Sequence, residues 1–236
     1  VILLVVCIVL PLFFRSIFYA PFNIPSGSMK STLLVGDYIF VSKFAYGYSR
    51  YSFPLGHGYP YFGGRIFWTP PKRGDVIVFR PPSQPNIDYI KRLIGLPGDR
   101  VQMRNGRLWL NGQLVPQQRI EDFVEEIDMG QMKSVRRLRQ YIETLPNGVS
   151  YTVLDEREHD PLDTTHEYVI PEGHYFFLGD NRDNSADSRT DKAGIVPEEN
   201  LVGRADLVFF SVDGAMWKIW EWFTTLRGDR FLTPVR

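Results

Sequence analysis

The chain lacks most of the groups on which enzymes and exported proteins commonly depend. It has one cysteine, Cys7, among 236 residues, so no disulfide can form within it. That leaves the compartment open, because an oxidising environment permits disulfides without requiring them. It has four histidines, His57, His159, His166 and His174, and none sits in a motif. It has no excess charge of either sign, with 27 basic and 27 acidic residues, which argues against nucleic acid as a partner. The acid- and amide-rich run Gly179–Arg189 lacks the sixth-position Gly and closing Glu of a calcium-binding loop. No metal or organic cofactor is expected, and the chain shows no internal repeat or low-complexity stretch.

Charge is also missing from Val1–Phe14, an apolar run that ends at Arg15. Fourteen helical residues rise only ~21 Å, whereas a membrane span needs about 20 residues. The run therefore reads as the outer part of a spanning helix that continues upstream. Arg15 would snorkel to the interface, with Phe18, Tyr19 and Phe22 at headgroup depth. A buried core helix would carry a polar stripe, and a cleaved leader would end in a small-residue site; the segment shows neither convincingly.

The remainder reads as strands and turns. The chain has 20 Gly and 17 Pro, and an apolar fraction of 44% is enough for a real core. Pro21 is expected to stop the helix, with an extended stretch after it. Asp37–Lys43, Val76–Phe79, Asp88–Ile94, Tyr168–Ile170, Tyr175–Leu178 and Val202–Phe210 have strand character by their β-branched and aromatic content. Arg107–Val115 reads as a hairpin with Asn111-Gly112 in a type I′ turn. Pro146-Asn147-Gly148 marks a second hairpin, followed by the strand Tyr151–Leu154. The charged region 119–158 is expected to be a surface insertion. The aromatic segment Phe44–Trp68 is a loop, either a lip that touches membrane or an excursion packed by its own rings. Met216, Ile219, Trp220 and Phe223 fall at helical spacing, with Trp217 and Trp222 nearby. They suit an interfacial helix or a helix that caps the core.

Three segments carry candidate chemistry: Ile24–Met29, Asp88–Arg92 and Gly179–Arg189. Ser28 follows Gly27, whose missing side chain would let a substrate backbone approach. A serine hydroxyl needs a base to become a nucleophile. A histidine brought in by folding is one alternative. Lysine is the other, if its amine is neutral. At its ordinary pKa only about one lysine in 2,500 is neutral at pH 7, and burial lowers that pKa. Lys91 lies in an apolar strand beside Ile90, Leu93 and Ile94. Its rival, Lys30, sits two residues from Ser28 in what reads as an exposed turn, where it would stay hydrated and charged.

Taken together, the motifs resemble those of the bacterial type I signal peptidases. The likeness runs from about Phe22 to Ala205 and is weaker in the middle. It rests on Pro25–Met29 with Thr32–Asp37, on Arg73–Phe79, on Tyr89–Arg92 with Gly95–Asp99, and on Gly179–Arg189. The resemblance implies that Ser28 is the nucleophile and Lys91 the general base. The Ser26 hydroxyl would form an oxyanion hole with the Ser28 N–H, and Ser185 would orient the lysine. Asp187 and Arg189 would be a structural pair beside the site. Phe22, Ile24, Met29, Leu33, Ile39, Tyr89 and Ile90 would line shallow pockets for small side chains. Lys30-Ser31 departs from the family pattern, as does Thr190–Ala193 after the last motif. The implied fold is mostly antiparallel β, with a barrel-like catalytic core, an inserted small β domain and an N-terminal transmembrane helix. The expected division is an anchor over 1–20, the core over 21–102 and 168–212, the insertion over 103–167, and an aromatic tail over 213–236. The implied partners are preproteins with signal peptides and the lipid bilayer, with the chain a monomer. Its place would be the bacterial cytoplasmic membrane, with the catalytic part on the outer, periplasmic side.

Overall fold

A computed structural model of the chain describes residues 14–53, 63–128, 133–214, 220 and 222–236. The expected spanning helix and most of the expected C-terminal helix lie outside these residues. Among the described residues, no helix is long and apolar enough to cross a membrane.

The protein is mostly β, and among the described residues the strands named below pair with one another antiparallel. Its strands are β1 (Tyr19–Asn23), β2 (Asp37–Ser42), β3 (Val76–Phe79), β4 (Tyr89–Gly95), β5 (Arg100–Arg104), β6 (Arg107–Leu110), β7 (Gln113–Leu114), β8 (Gln117–Arg119), β9 (Phe123–Asp128), β10 (Lys133–Thr144), β11 (Ser150–Asp155), β12 (Tyr168–Val169), β13 (His174–Leu178), β14 (Val196–Pro197), β15 (Leu201–Ser211) and β16 (Thr233–Pro234). The main sheet runs β1-β2-β15-β3-β4-β13-β14, with β16 also on β15. Register shifts in β15 and β13 mark bulges, which bend and twist strands. The barrel-like expectation is thus met by an open sheet that ends in β1 and β14. Pro21 does not stop the helix. The helical turn at residues 14–17 has already given way, and Pro21 lies inside β1. That strand is an edge, where a missing N–H need not break a ladder.

The excursion between β4 and β13 forms two smaller sheets, β11-β10-β8 with β9 on β10, and β12-β5-β6-β7. Asn111 and Gly112 both have positive φ, 53° and 76°, as a type I′ turn demands. Asn105 and Gly106 make an equivalent turn between β5 and β6, at 49° and 72°. This excursion is more than a charged surface. Met103, Leu108, Leu110, Tyr151 and Val153 share one hydrophobic cluster with Ile94, Phe176 and Leu178 of the main sheet. Glu143, within the charged stretch, is buried.

In the aromatic loop Tyr46 and Tyr51 turn inward and are buried, whereas Phe67 is exposed. Past the helical turn Trp222–Thr225, the chain returns to the core. Arg230 pairs with the buried Asp37, and β16 pairs with β15. Trp220 and Phe223 remain exposed.

Candidate active site

The nucleophile turn is a short 3-10 helix, Gly27–Met29, between β1 and β2. Met29 and Leu33 anchor it: both are fully buried in the cluster that holds Ile24, Ile39 and Val78. Ser28 is thereby held nearly buried beside β4, the strand that carries Lys91.

Lys91 Nζ lies 2.7 Å from Ser28 Oγ and 2.8 Å from the Ile90 carbonyl oxygen. Its side chain is buried, and the Tyr89 ring stands 5.5 Å away. Burial pulls the ammonium from its ordinary 10.5 down to about 8, against the opposing pull of Asp187 and Asp180. Lys30 is drawn elsewhere, into an ion pair with Glu125 of β9. Its stem also fills the space that the missing Gly27 side chain was expected to leave to substrate. A Cβ on Gly27 would lie 2.9 Å from Lys30 Cε. Among the described histidines, none has a hydrogen bond to Ser28; His174 bonds the Glu172 carbonyl.

Ser26 is exposed, and its Oγ lies 3.3 Å from Ser28 Oγ. Ser185 is buried beside Asp187. Among the described residues the Lys91 amine bonds Ser28 Oγ and the Ile90 carbonyl oxygen, and no hydrogen bond joins it to Ser185. Ser185 packs against Gly179, where any side chain would collide with Ser185 Oγ and the Ser28 carbonyl oxygen. Asp187 and Arg189 pair at 2.9 Å, both buried. Burial alone would raise the Asp187 carboxyl, but Arg189 and the Gly179 N–H hold it below the usual carboxylate range.

A cleft of about 360 Å³ opens beside the Ser–Lys pair. Five of the seven expected pocket residues line it: Phe22, Ile24, Ile39, Tyr89 and Ile90. Met29 and Leu33 are not among the residues that line it. Val78, Ile87, Asp88, Asn184 and Ala186 line it too, and sequence reasoning missed them. Val78 had a local signal, because it stands opposite Ile90 in the β3–β4 ladder. Asn184 and Ala186 lay within the recognised Gly179–Arg189 motif, but nothing local showed which of its side chains reach the cleft.

Arg92, next to Lys91, is wholly buried and grips Asp180 in a two-pronged pair at 2.9 and 2.7 Å. Thr32 donates to the same carboxylate, so strand, nucleophile loop and Gly179–Arg189 loop meet at one point.

A hydroxyl within hydrogen-bond reach of a buried, partly neutralised amine, opening on a cleft, suits acyl transfer. The sequence matches the family described as signal peptidase, peptidase S26, over residues 1–210. It is 41% identical to signal peptidase I of Rickettsia typhi over 219 residues, 90% of this chain and 79% of that one. Signal peptidase I of Rickettsia conorii matches equally, and that of Rickettsia prowazekii is 40% identical over the same shares. A crystal structure of a signal peptidase I from Enterococcus faecalis V583 aligns at 27% identity and a TM-score of 0.33, covering 58% of this chain and 97% of that one. The chain belongs to the signal peptidase family S26 and is a serine endopeptidase.

Proposed function

We propose that this endopeptidase removes signal peptides from exported preproteins, with Ser28 as nucleophile and neutral Lys91 as general base. The observation that carries the reading is the 2.7 Å contact between Ser28 Oγ and a buried amine brought down to about 8. The names of the relatives support the substrate class.

The cleft suits an extended chain. One side is the run from Phe22 to Ser26, which begins in edge strand β1, and the other is Ile87–Lys91. A preprotein segment lying between them would add a strand, with its small side chains in the shallow apolar floor of Ile39 and Val78. Neutral Lys91 takes the Ser28 proton as Oγ attacks the scissile carbonyl. The oxyanion meets the Ser26 hydroxyl and the Ser28 N–H. The protonated amine then gives its proton to the leaving α-amine. Neutral again, it activates the water that releases the acyl group. None of these steps calls for a cofactor. The apolar run before Arg15 would tether the enzyme, as a monomer, to the cytoplasmic membrane with its cleft on the periplasmic side. Tethering confines enzyme and substrate to one surface and raises their effective concentration.

The test is cleavage of a preprotein with an Ala-x-Ala site by protein purified in detergent. Cutting should fall after the second Ala, and Leu at that position should slow it at least roughly tenfold. Ser26→Ala should lower kcat by roughly 10²–10³. No cleavage of the Ala substrate, or equal rates on Ala and Leu, would refute the reading.

A further inference from the structure

Asn181 is fully buried and reaches the nucleophile turn with both backbone and side chain. Its backbone N–H donates to the Ser28 carbonyl oxygen at 3.1 Å. Its Nδ2 donates to the Gly27 carbonyl oxygen at 3.2 Å and to Glu156 Oε1 at 3.1 Å. The Lys30 N–H adds a second donor to the Gly27 oxygen, at 3.1 Å. Both side-chain partners of Asn181 are acceptors, so the amide nitrogen must face them; a flipped amide would set oxygen against oxygen. The consequence is that Oδ1 is buried with no hydrogen-bond partner among the described residues. An unpaired buried oxygen is a loss of stability. What the amide gains is its hold on Gly27.

That hold bears on catalysis through the geometry of the peptide group. The Gly27 carbonyl and the Ser28 N–H belong to one planar unit, and the bond between them is trans. In a trans peptide the C=O and N–H point in opposite directions. A donor that fixes the Gly27 oxygen therefore fixes the direction of the Ser28 N–H, aiming it away from Asn181. Hydrogen bonding at the carbonyl end also polarises the unit and makes the N–H a stronger donor. We infer that Asn181, held by Glu156, is a positioning residue for the oxyanion donor: it orients and polarises the Gly27–Ser28 peptide so that the Ser28 N–H stabilises the tetrahedral intermediate. This rests on the reading of Ser28 as nucleophile.

The inference separates transition-state from ground-state binding. Two probes based on an Ala-x-Ala peptide make the distinction. A peptide aldehyde forms a tetrahedral adduct with the serine, and a peptide whose scissile carbonyl is replaced by methylene offers no oxygen to the hole. Asn181→Ala and Asn181→Asp should each lower kcat roughly tenfold or more, acting one step removed from the 10²–10³ seen when a donor itself is deleted. KM and methylene-peptide affinity should stay within about twofold, and aldehyde affinity should fall by the same factor as kcat/KM. In Asn181→Ala the pH profile should keep its acidic limb, since that change adds no charge beside the lysine. Glu156→Ala leaves Asn181 in place and frees its amide to turn. It should lower kcat a few-fold in the native background and not at all on top of Asn181→Ala. Unchanged kcat in folded Asn181→Ala, or parallel loss of both probes, would overturn the inference. If Asn181→Ala fails to fold, Glu156→Ala decides by the same two criteria. Ser28→Ala, assayed beside them, separates the levels: residual cleavage there would sink the nucleophile assignment itself, whatever Asn181 does.

Discussion

Lys91→Met should abolish preprotein cleavage and, at neutral pH, make the folded protein more stable. The loss of activity should reach roughly 10⁴–10⁶-fold, the scale at which members of a catalytic unit fail when removed singly. The gain in stability follows from the same buried amine. Its folded pKa is about 8 against 10.5 in the unfolded chain. Between those values the unfolded chain holds a proton that the folded one lacks, so the stability of the native protein should rise with pH across that window. Below about pH 8 the folded state must bury an ammonium, at a cost of about 3 kcal/mol. Met avoids that cost, so the variant's advantage in urea unfolding should be present at pH 7 and vanish above about pH 10.5. Lys43 is shifted in the same way but is common to both proteins, so it cancels in the comparison. Activity gives the matching kinetic signature. In the wild-type enzyme kcat/KM should climb with pH and level off above about 8, where the free enzyme's amine is neutral. At pH 7 about one molecule in ten is competent, against about one in 2,500 for an unperturbed lysine. An acidic limb near 10.5, or Lys91→Met that still cuts, would remove Lys91 from the mechanism.

How much of this was legible beforehand depends on the range of the interaction. The strands were legible because alternation and β-branching are local. Asp37–Lys43, Val76–Phe79 and Tyr175–Leu178 come within a residue of β2, β3 and β13. The Asn111-Gly112 turn was legible because only a few residues tolerate positive φ twice in succession. The Ser28–Lys91 meeting was suggested by motif order and by the apolar company of Lys91, but burial and distance had to come from the fold. What was not legible shares one cause. Met29 and Leu33 sit in a recognisable motif, yet sequence does not say toward which side of the turn they point, and they face the core. Lys30 looked exposed because its partner, Glu125, lies on a distant strand. The sharing of Ile94 and Phe176 with Met103 and Tyr151 is likewise a long-range fact, which charge content along the excursion concealed. Asn181 is the clearest case. Its role turns on which atoms of the nucleophile turn it touches, and no local pattern encodes that.

Asp180→Ala should cost about 3–5 kcal/mol of folding stability, the scale for breaking one side of a buried ion pair. Arg92 and Asp180 are each only 1% exposed. Without the carboxylate, the guanidinium keeps the Gly74 carbonyl and the Tyr151 ring, but its charge loses both prongs of its partner. Thr32 loses its acceptor in the same step. The double variant Arg92→Met with Asp180→Leu removes both charges and should recover most of the loss, because uncompensated charge is the main penalty. Additive losses in that cycle would mean the pair is not coupled. The site should register the break as well. Asp180 is bonded along the chain to Asn181, and its backbone oxygen accepts from the Leu154 N–H. A loosened Asp180 should therefore let the Asn181 amide drift from Gly27. The single variant, assayed while still folded, should lose kcat more than KM, and the charge-free double variant should regain kcat along with stability.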